Sequence, residues 1–275
     1  MKPILTLLLM VTLVAGCSAR HNDRNTPGNR SVSSSLMLTG LNKQLQDTLK
    51  RATVGNQQAQ QQYGHWLVSA GQNEAAQPLL RNAAEHGDTQ AQYLLGKMLL
   101  EEQPAEARRW LEHSAESGNA QAAKALSQYF LKRTSLLQRP QEGFNWRLHA
   151  AQLGDPQAQN DVGAAYSRGV GVKKNVAQAL EWYRKSALQG YTLAQFNLAG
   201  AYQAGEGVKP NPALAYAWYE IASQSSRDAQ LSQIIEQMKL RMYAEATRNG
   251  EAAKARLLVK QFQHQIIASR TQEVR

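Results

Sequence analysis

The chain has a single cysteine, Cys17, so no disulfide can form within it. Proline is scarce at 8 in 275 residues, and with 43% hydrophobic residues there is ample material for a continuous helical core. Carboxylates are outnumbered, 21 against 31 Lys and Arg, which leaves a net charge of +10. A basic balance serves nucleic acid when the cations gather on one surface. Here Lys239, Arg241, Arg248, Lys254, Arg256 and Lys260 are interleaved with Glu236, Glu245 and Glu251, the pattern of a solvated helix face, and no nucleic acid partner is expected. Catalytic signatures are missing as well. There is no Gly-x-Ser-x-Gly elbow, no His-Glu-x-x-His pair and no Gly-x-x-x-x-Gly-Lys-Ser/Thr phosphate loop. The sequence therefore points away from an enzyme, and no catalytic residue, metal or cofactor is predicted.

What is present is a ladder. Trp110, Trp146, Trp182 and Trp218 follow one another at intervals of 36 residues. Ala115, Ala151, Ala187 and, more loosely, Ser223 follow them in phase, and Ala-x-x-Gly-Asn/Asp/Tyr-x-x-Ala recurs from Ala115, Ala151 and Ala187. A period of this length marks a repeat whose units bury their apolar faces only against neighbours. Each unit reads as two helices. Ala158, Val162, Gly163 and Tyr166 share one helical face, with Asp155 as N-cap and Pro156 in the first turn. Gly169-Val170-Gly171-Val172 breaks the chain, and Ala179, Trp182, Tyr183 and Ala187 resume the helical spacing until Gly190. The four ladder tryptophans are expected in the core. His86, His113 and His149 lie near helix ends, where the negative end of the dipole accounts for them. Glu181 and Glu220 are expected on outer faces.

These residues resemble the Sel-1-like repeat, a relative of the tetratricopeptide repeat. The resemblance is specific over Ala151 to Ser223, where Ala-x-x-Gly-Asp-x-x-Ala-Gln, Gly-x-Gly-Val and Ala-x-x-Trp-Tyr-x-x-x-Ala all occur, and Gly205-Glu206-Gly207-Val208 with Ala215-Tyr216-Ala217-Trp218-Tyr219 repeats the pattern. Toward the N-terminus the units from Ala52 and Ala84 keep the helix start but lack the glycine loop, and 133–140 replaces that loop in the middle unit. The expected fold is all-α, an α/α solenoid of about five helix pairs over 36–223. Leu41 to Thr53 would form a first capping helix. Residues 224–275 would form a capping hairpin with two stripes, Leu231, Ile234, Ile235, Met238 and Met242, then Ala255, Leu258, Val259, Phe262 and Ile266, divided at Gly250.

The N-terminus is of another kind. Met1-Lys2 and the apolar run Ile4 to Val14 form a signal-like start, shorter than the roughly 20 residues of a membrane span. It ends in Leu13-Val14-Ala15-Gly16-Cys17, which looks like a bacterial lipobox and implies a signal peptide over 1–16 and lipid on Cys17. Two or more acyl chains at about 0.8 kcal/mol per buried CH₂ hold a protein on a membrane effectively permanently. Ser18, where an aspartate would favour inner-membrane retention in that class, implies the outer membrane with the body in the periplasm. Residues 17–35 read as a tether reaching on the order of 20 to 25 Å.

A solenoid binds without further equipment. By the tetratricopeptide analogy the first helices line a concave surface, and the positions left free of packing are Gln58, Gln61 and His65, then Gln90, Tyr93 and Lys97, then Gln121, Lys124 and Gln128. Further along come Gln157, Asn160, Ala164, Ser167 and Arg168, then Leu193, Phe196 and Gln203. Tyr93 and Phe196 are the aromatic anchor candidates. The resemblance implies a lipoprotein scaffold that gathers protein partners of an envelope complex, in secretion, polysaccharide export or a similar process. The other role open to it is an immunity lipoprotein that neutralises a toxic periplasmic effector such as a phospholipase. Some relatives of the repeat are weak β-lactamases with cysteine-paired repeats, and the lone Cys17 argues against that group.

Overall fold

The computed structural model describes residues 43–52, 56–131 and 139–273. The readings of the signal peptide, Cys17, the tether, the ends of the first capping helix and 133–138 lie outside the described residues. Among the described residues there are thirteen helices and no strand. They are α1 (43–52), α2 (Gln57–Ser69), α3 (Asn73–Glu85), α4 (Thr89–Leu99), α5 (Pro104–Glu116), α6 (Ala120–Leu131), α7 (Pro140–Gln152), α8 (Pro156–Arg168), α9 (Val176–Leu188), α10 (Thr192–Ala204), α11 (Pro212–Ser225), α12 (Ala229–Arg248) and α13 (Ala252–Glu273). Sequential helices pack as antiparallel pairs, α2/α3 through α10/α11, in an α/α solenoid. The chain divides into two compact units, Met1–Ser114 and Ala115–Arg275.

Each recurring motif residue has a defined bond. The acceptor before the first helix caps it: Asn56 Oδ1 accepts from Ala59 N at 2.9 Å, Asp88 Oδ1 from Ala91 N at 2.8 Å, and Asp155 Oδ1 from Ala158 N at 2.7 Å. The glutamine after the alanine reaches back eight residues to the carbonyl that ends the preceding helix. Gln60 Nε2 donates to Ala52 O at 3.1 Å and Gln92 to Ala84 O at 3.1 Å in the first unit; Gln159 donates to Ala151 O at 3.2 Å and Gln195 to Ala187 O at 3.1 Å in the second. The carbonyls of Ala84, Ala151 and Ala187 also accept the N–H of the turn glycine three residues on, at 3.1, 3.1 and 3.0 Å, so the glutamine fills the second acceptor position and ties the start of the next helix to the end of the last. In the third pair Ala123 stands in the glutamine's place, and His149 Nε2 donates to Ala115 O instead, at 3.0 Å. The helix dipole is thus only part of what holds this imidazole.

Inside a pair the helices meet at small residues. A Cβ on Gly163 would lie 2.7 Å from Tyr183 Cδ1, so only glycine lets that ring seat against α8. The loops after α8 and α10 need glycine for two reasons at once. Gly171 and Gly207 have φ of 73° and 71°, and a Cβ would strike Pro140 O at 2.2 Å in the one and Val176 Cγ1 at 2.8 Å in the other. The Gly-x-Gly-Val loop therefore rests directly on the second helix of the pair before it.

The core of the first unit is Ala59, Tyr63, Leu67, Leu80, Leu95 and Leu99 with small residues between them. That of the second gathers Leu198, Trp218, Tyr219, Ile235, Met242 and Phe262. The tryptophan ladder corrects an expectation: only Trp218 is buried, 2% exposed, whereas Trp110, Trp146 and Trp182 are half-buried. Trp218 differs because α13 lies over α11, stacking Phe262 on its indole with centroids 4.4 Å apart. Ser269 then donates to Leu188 O of α9 at 2.8 Å. Trp182 instead carries the Lys185 ammonium 4.3 Å above its ring. Ile234 is a second correction. At 45% exposure it has turned out of the stripe that Ile235 and Met242 bury. Glu181 is exposed as expected, but Glu220 is half-buried and pairs with Lys239 at 3.3 Å.

Two outcomes follow for chemical denaturation. Trp218→Ala should lose about 3–5 kcal/mol of stability, and Trp182→Ala no more than about 2. Gln159→Leu should lose about 1–2 kcal/mol by removing its buried bonds to Ala151 O and Gln189 Nε2, while an exposed glutamine such as Gln121 should tolerate leucine within about 0.5 kcal/mol.

Candidate protein-binding surface

The first helices of each pair carry the positions expected to face a partner. In the first unit Gln58 and Gln90 are exposed, and Gln61 is half-buried on α2. His65 is half-buried too, its Nε2 lying 3.7 Å from Asp88 Oδ2, beyond a hydrogen bond. Tyr93 is half-buried with the Lys97 ammonium 5.9 Å from its ring centroid, an arrangement that leaves an aromatic and a cation side by side on α4. On the second helices of this unit Arg81 pairs with Glu106, and Trp110 Nε1 donates to the same carboxylate at 3.1 Å. Those two bonds hold the Glu106 carboxyl below its ordinary pKa.

In the second unit Gln121 and Gln128 are exposed on α6. Lys124 is engaged: its Nζ lies 3.1 Å from Asp155 Oδ2 and 2.9 Å from Gln157 Oε1, tying α6 to the start of α8. Arg168 is exposed, with Ala164 and Ser167 half-buried on the same helix. Asn160 is a correction. It is 6% exposed, its Oδ1 accepting from Asn197 Nδ2 at 2.9 Å and its Nδ2 donating to Asp161 at 3.3 Å, so it cross-links α8 and α10 and offers no free face. Phe196 is a second correction as an anchor. Its ring tilts against Tyr219 at 5.7 Å and belongs to the edge of the core. The Tyr219 hydroxyl donates to Gln203 Oε1 at 2.9 Å, so that amide is half committed. Leu193, 42% exposed, is the apolar side chain this row does present.

Burial raises the phenols of Tyr183, Tyr191 and Tyr219, so they stay neutral. One residue escaped the sequence reading. Arg147 on α7 takes the place after a ladder tryptophan that Tyr183 and Tyr219 hold in the following pairs, and aligning the ladder one residue further would have exposed it.

This geometry matches a known repeat. The Sel1 repeat model matches residues 89–119, 156–191 and 192–226. The chain carries three Sel1 repeats. Among solved structures, the protective antigen of uropathogenic Escherichia coli strains, which displays the SLR fold, superposes with a TM-score of 0.63 at 27% identity. It matches 83% of this chain, which spans half of that protein's length. A Sel1 repeat protein from Oxalobacter formigenes superposes with a TM-score of 0.59 at 26% identity, over 70% of this chain and 86% of its own. No curated protein matches. Sel1 repeats point to protein partners, and the paired helices here are their framework. The matches leave out 120–155, the pair that holds Ala123 and Arg147.

Because Phe196 leans on Tyr219, Phe196→Ala should lower stability by about 2–3 kcal/mol in thermal or urea unfolding. Lys97→Glu, on the exposed face of α4, should leave stability within about 0.5 kcal/mol.

Proposed function

We propose that this Sel1-repeat protein is a lipid-anchored scaffold of the outer membrane, facing the periplasm and recruiting protein partners into an envelope complex. Two kinds of observation support the reading. The repeats supply two units whose first helices present amides and cations, Gln58, Gln90 and Lys97 in one and Gln121, Gln128 and Arg168 in the other. The sequence Leu13-Val14-Ala15-Gly16-Cys17 supplies the attachment: after cleavage before Cys17 the sulfur would carry diacylglycerol, and Ser18 raises no retention signal. Lipid fixes location and the repeats select what is held there. The lipobox-like end carries the envelope assignment, since the repeats by themselves are indifferent to compartment.

Two measurements test it. Metabolic labelling with radioactive palmitate should mark the wild-type chain and leave Cys17→Ala unlabelled and unprocessed; normal labelling of that variant overturns the anchor. Affinity capture from crosslinked envelopes should bring several components together, all reduced when Lys97 and Arg168 are both changed to Glu. Capture of one stoichiometric toxic enzyme would replace the scaffold by an immunity role, and deletion would then remove self-protection rather than an assembled structure.

A further inference from the structure

The last helix departs from the charge pattern of the one before it. From Ala252 to Gln272 the chain carries Lys254, Arg256, Lys260 and Arg270 and no aspartate or glutamate. On α12 cations and carboxylates alternate, and Glu236 holds Lys239 at 2.7 Å. Glu251, in the turn before α13, holds Lys254 at 2.8 Å, and Arg256 Nε donates to the Tyr243 hydroxyl at 3.0 Å. Lys260 has no such partner among the described residues.

One side of α13 belongs to the core. Ala255, Phe262 and Ile266 are buried, Phe262 stacks on Trp218, and Ser269 bonds Leu188 O. The opposite side is a stripe of Ala253, Leu257, Lys260, His264, Ile267 and Thr271, three or four residues apart and all exposed. Leu257 and Ile267 are 65% and 67% exposed, and with Leu240 they are the most exposed large apolar side chains among the described residues. They stand about 15 Å apart along the helix. A single exposed leucine is ordinary on a protein surface. Two in one line, with a free ammonium between them and no carboxylate on the helix around them, form an apolar and cationic face.

We propose that this outer stripe of α13 lies against an anionic phospholipid surface, with Leu257 and Ile267 dipping below the headgroups and Lys260 meeting their phosphates. Charge complementarity selects the occupant, since a basic helix face with aliphatic tips is attracted to anionic lipid and buries those tips in it. The stripe has no aromatic anchor of the kind that dominates protein interfaces. A fluid, planar surface takes up isolated aliphatic tips without requiring a matching shape. No described helix is long and apolar enough to cross a membrane, so the contact is one of lying along it. The inference rests on the lipid-anchor reading, because a face this small binds weakly alone and gains from a tether that keeps the bilayer at high local concentration.

The test uses the lipidated mature chain in vesicles of brominated phosphatidylcholine, with and without phosphatidylglycerol. Because lipid blocks Cys17, one introduced cysteine takes a fluorescent label, His264→Cys on the stripe or Gln121→Cys on α6 as the control. With phosphatidylglycerol present, the label at 264 should be quenched roughly threefold more than the label at 121, and the difference should vanish without it. Added to the labelled chain, Lys260→Glu should lower that quenching by roughly fivefold, and Leu257→Ser with Ile267→Ser should lower it similarly. Neither change should shift the melting temperature, because the altered side chains are exposed. Equal quenching at 264 and 121, or quenching at 264 that is indifferent to phosphatidylglycerol, overturns the proposal. So does shielding of the label that appears without vesicles and grows with protein concentration, which would make the stripe a contact between copies. Palmitate labelling reads the anchor separately. A palmitate-labelled chain whose position 264 stays in water would sink the stripe alone, and an unlabelled chain still quenched at 264 by added vesicles would sink the anchor alone.

Discussion

Everything in this fold hangs on how one helix pair hands over to the next, and that handover is made by a side-chain amide. A helix ends with carbonyls that have no partner, and the chain must turn at once into another helix whose first amides are equally bare. The aspartate or asparagine caps the new helix, and the glutamine four residues later returns to the old one, as Gln159 does to Ala151 O at 3.2 Å. Both ends of the turn are satisfied by a single short stretch of sequence. Ala151 O also holds the N–H of Gly154 at 3.1 Å, so what the glutamine adds is the tie between the two helices rather than the rescue of a bare carbonyl. Repetition of that local geometry is what makes a solenoid: with the turn fixed, the packing of each pair on its neighbour follows.

The third pair makes the same tie without the glutamine. Ala123 cannot reach back, and His149, coming from the second helix of the pair, donates to Ala115 O in its stead. The same pair departs from the pattern at Arg147 and Ser127, and the Sel1 model passes over it. Such substitutions are tolerated in a repeat architecture because stability is distributed over many neighbouring interfaces, so one pair can depart from the pattern while those on either side keep the core. A globular domain with one central core has less room for this.

The helices were legible in the sequence because period and punctuation agree. Asp155-Pro156 opens α8, Gly169 closes it, and the ladder of tryptophans sets the phase of every second helix. What the sequence did not disclose was which of four identical tryptophans would be buried. Trp146, Trp182 and Trp218 occupy the same place in their pairs, and the difference arises from α13, distant in sequence, folding over one of them so that Phe262 stacks on Trp218. Burial of that kind is a tertiary event that a periodic pattern does not carry. Ile234 failed for a related reason: two adjacent isoleucines compete for one helical stripe, and the packing of α12 on α11 chose Ile235.

The surface was less legible than the fold, and for a physical reason. Helical phase tells which way a residue points, not whether a neighbouring helix has claimed it. Asn160 and Phe196 point toward the same row as Gln157 and Leu193, yet α10 ties down the first through Asn197 and Tyr219 of α11 receives the second. The exposed polar positions, in contrast, read alike in every pair and so say little about selectivity. Selectivity in a repeat protein has to come from where the pattern is broken, since the unbroken pattern is spent on holding the units together. By that reasoning the third pair, where Ala123 and Arg147 stand in place of motif residues, is where this chain departs furthest from its own pattern.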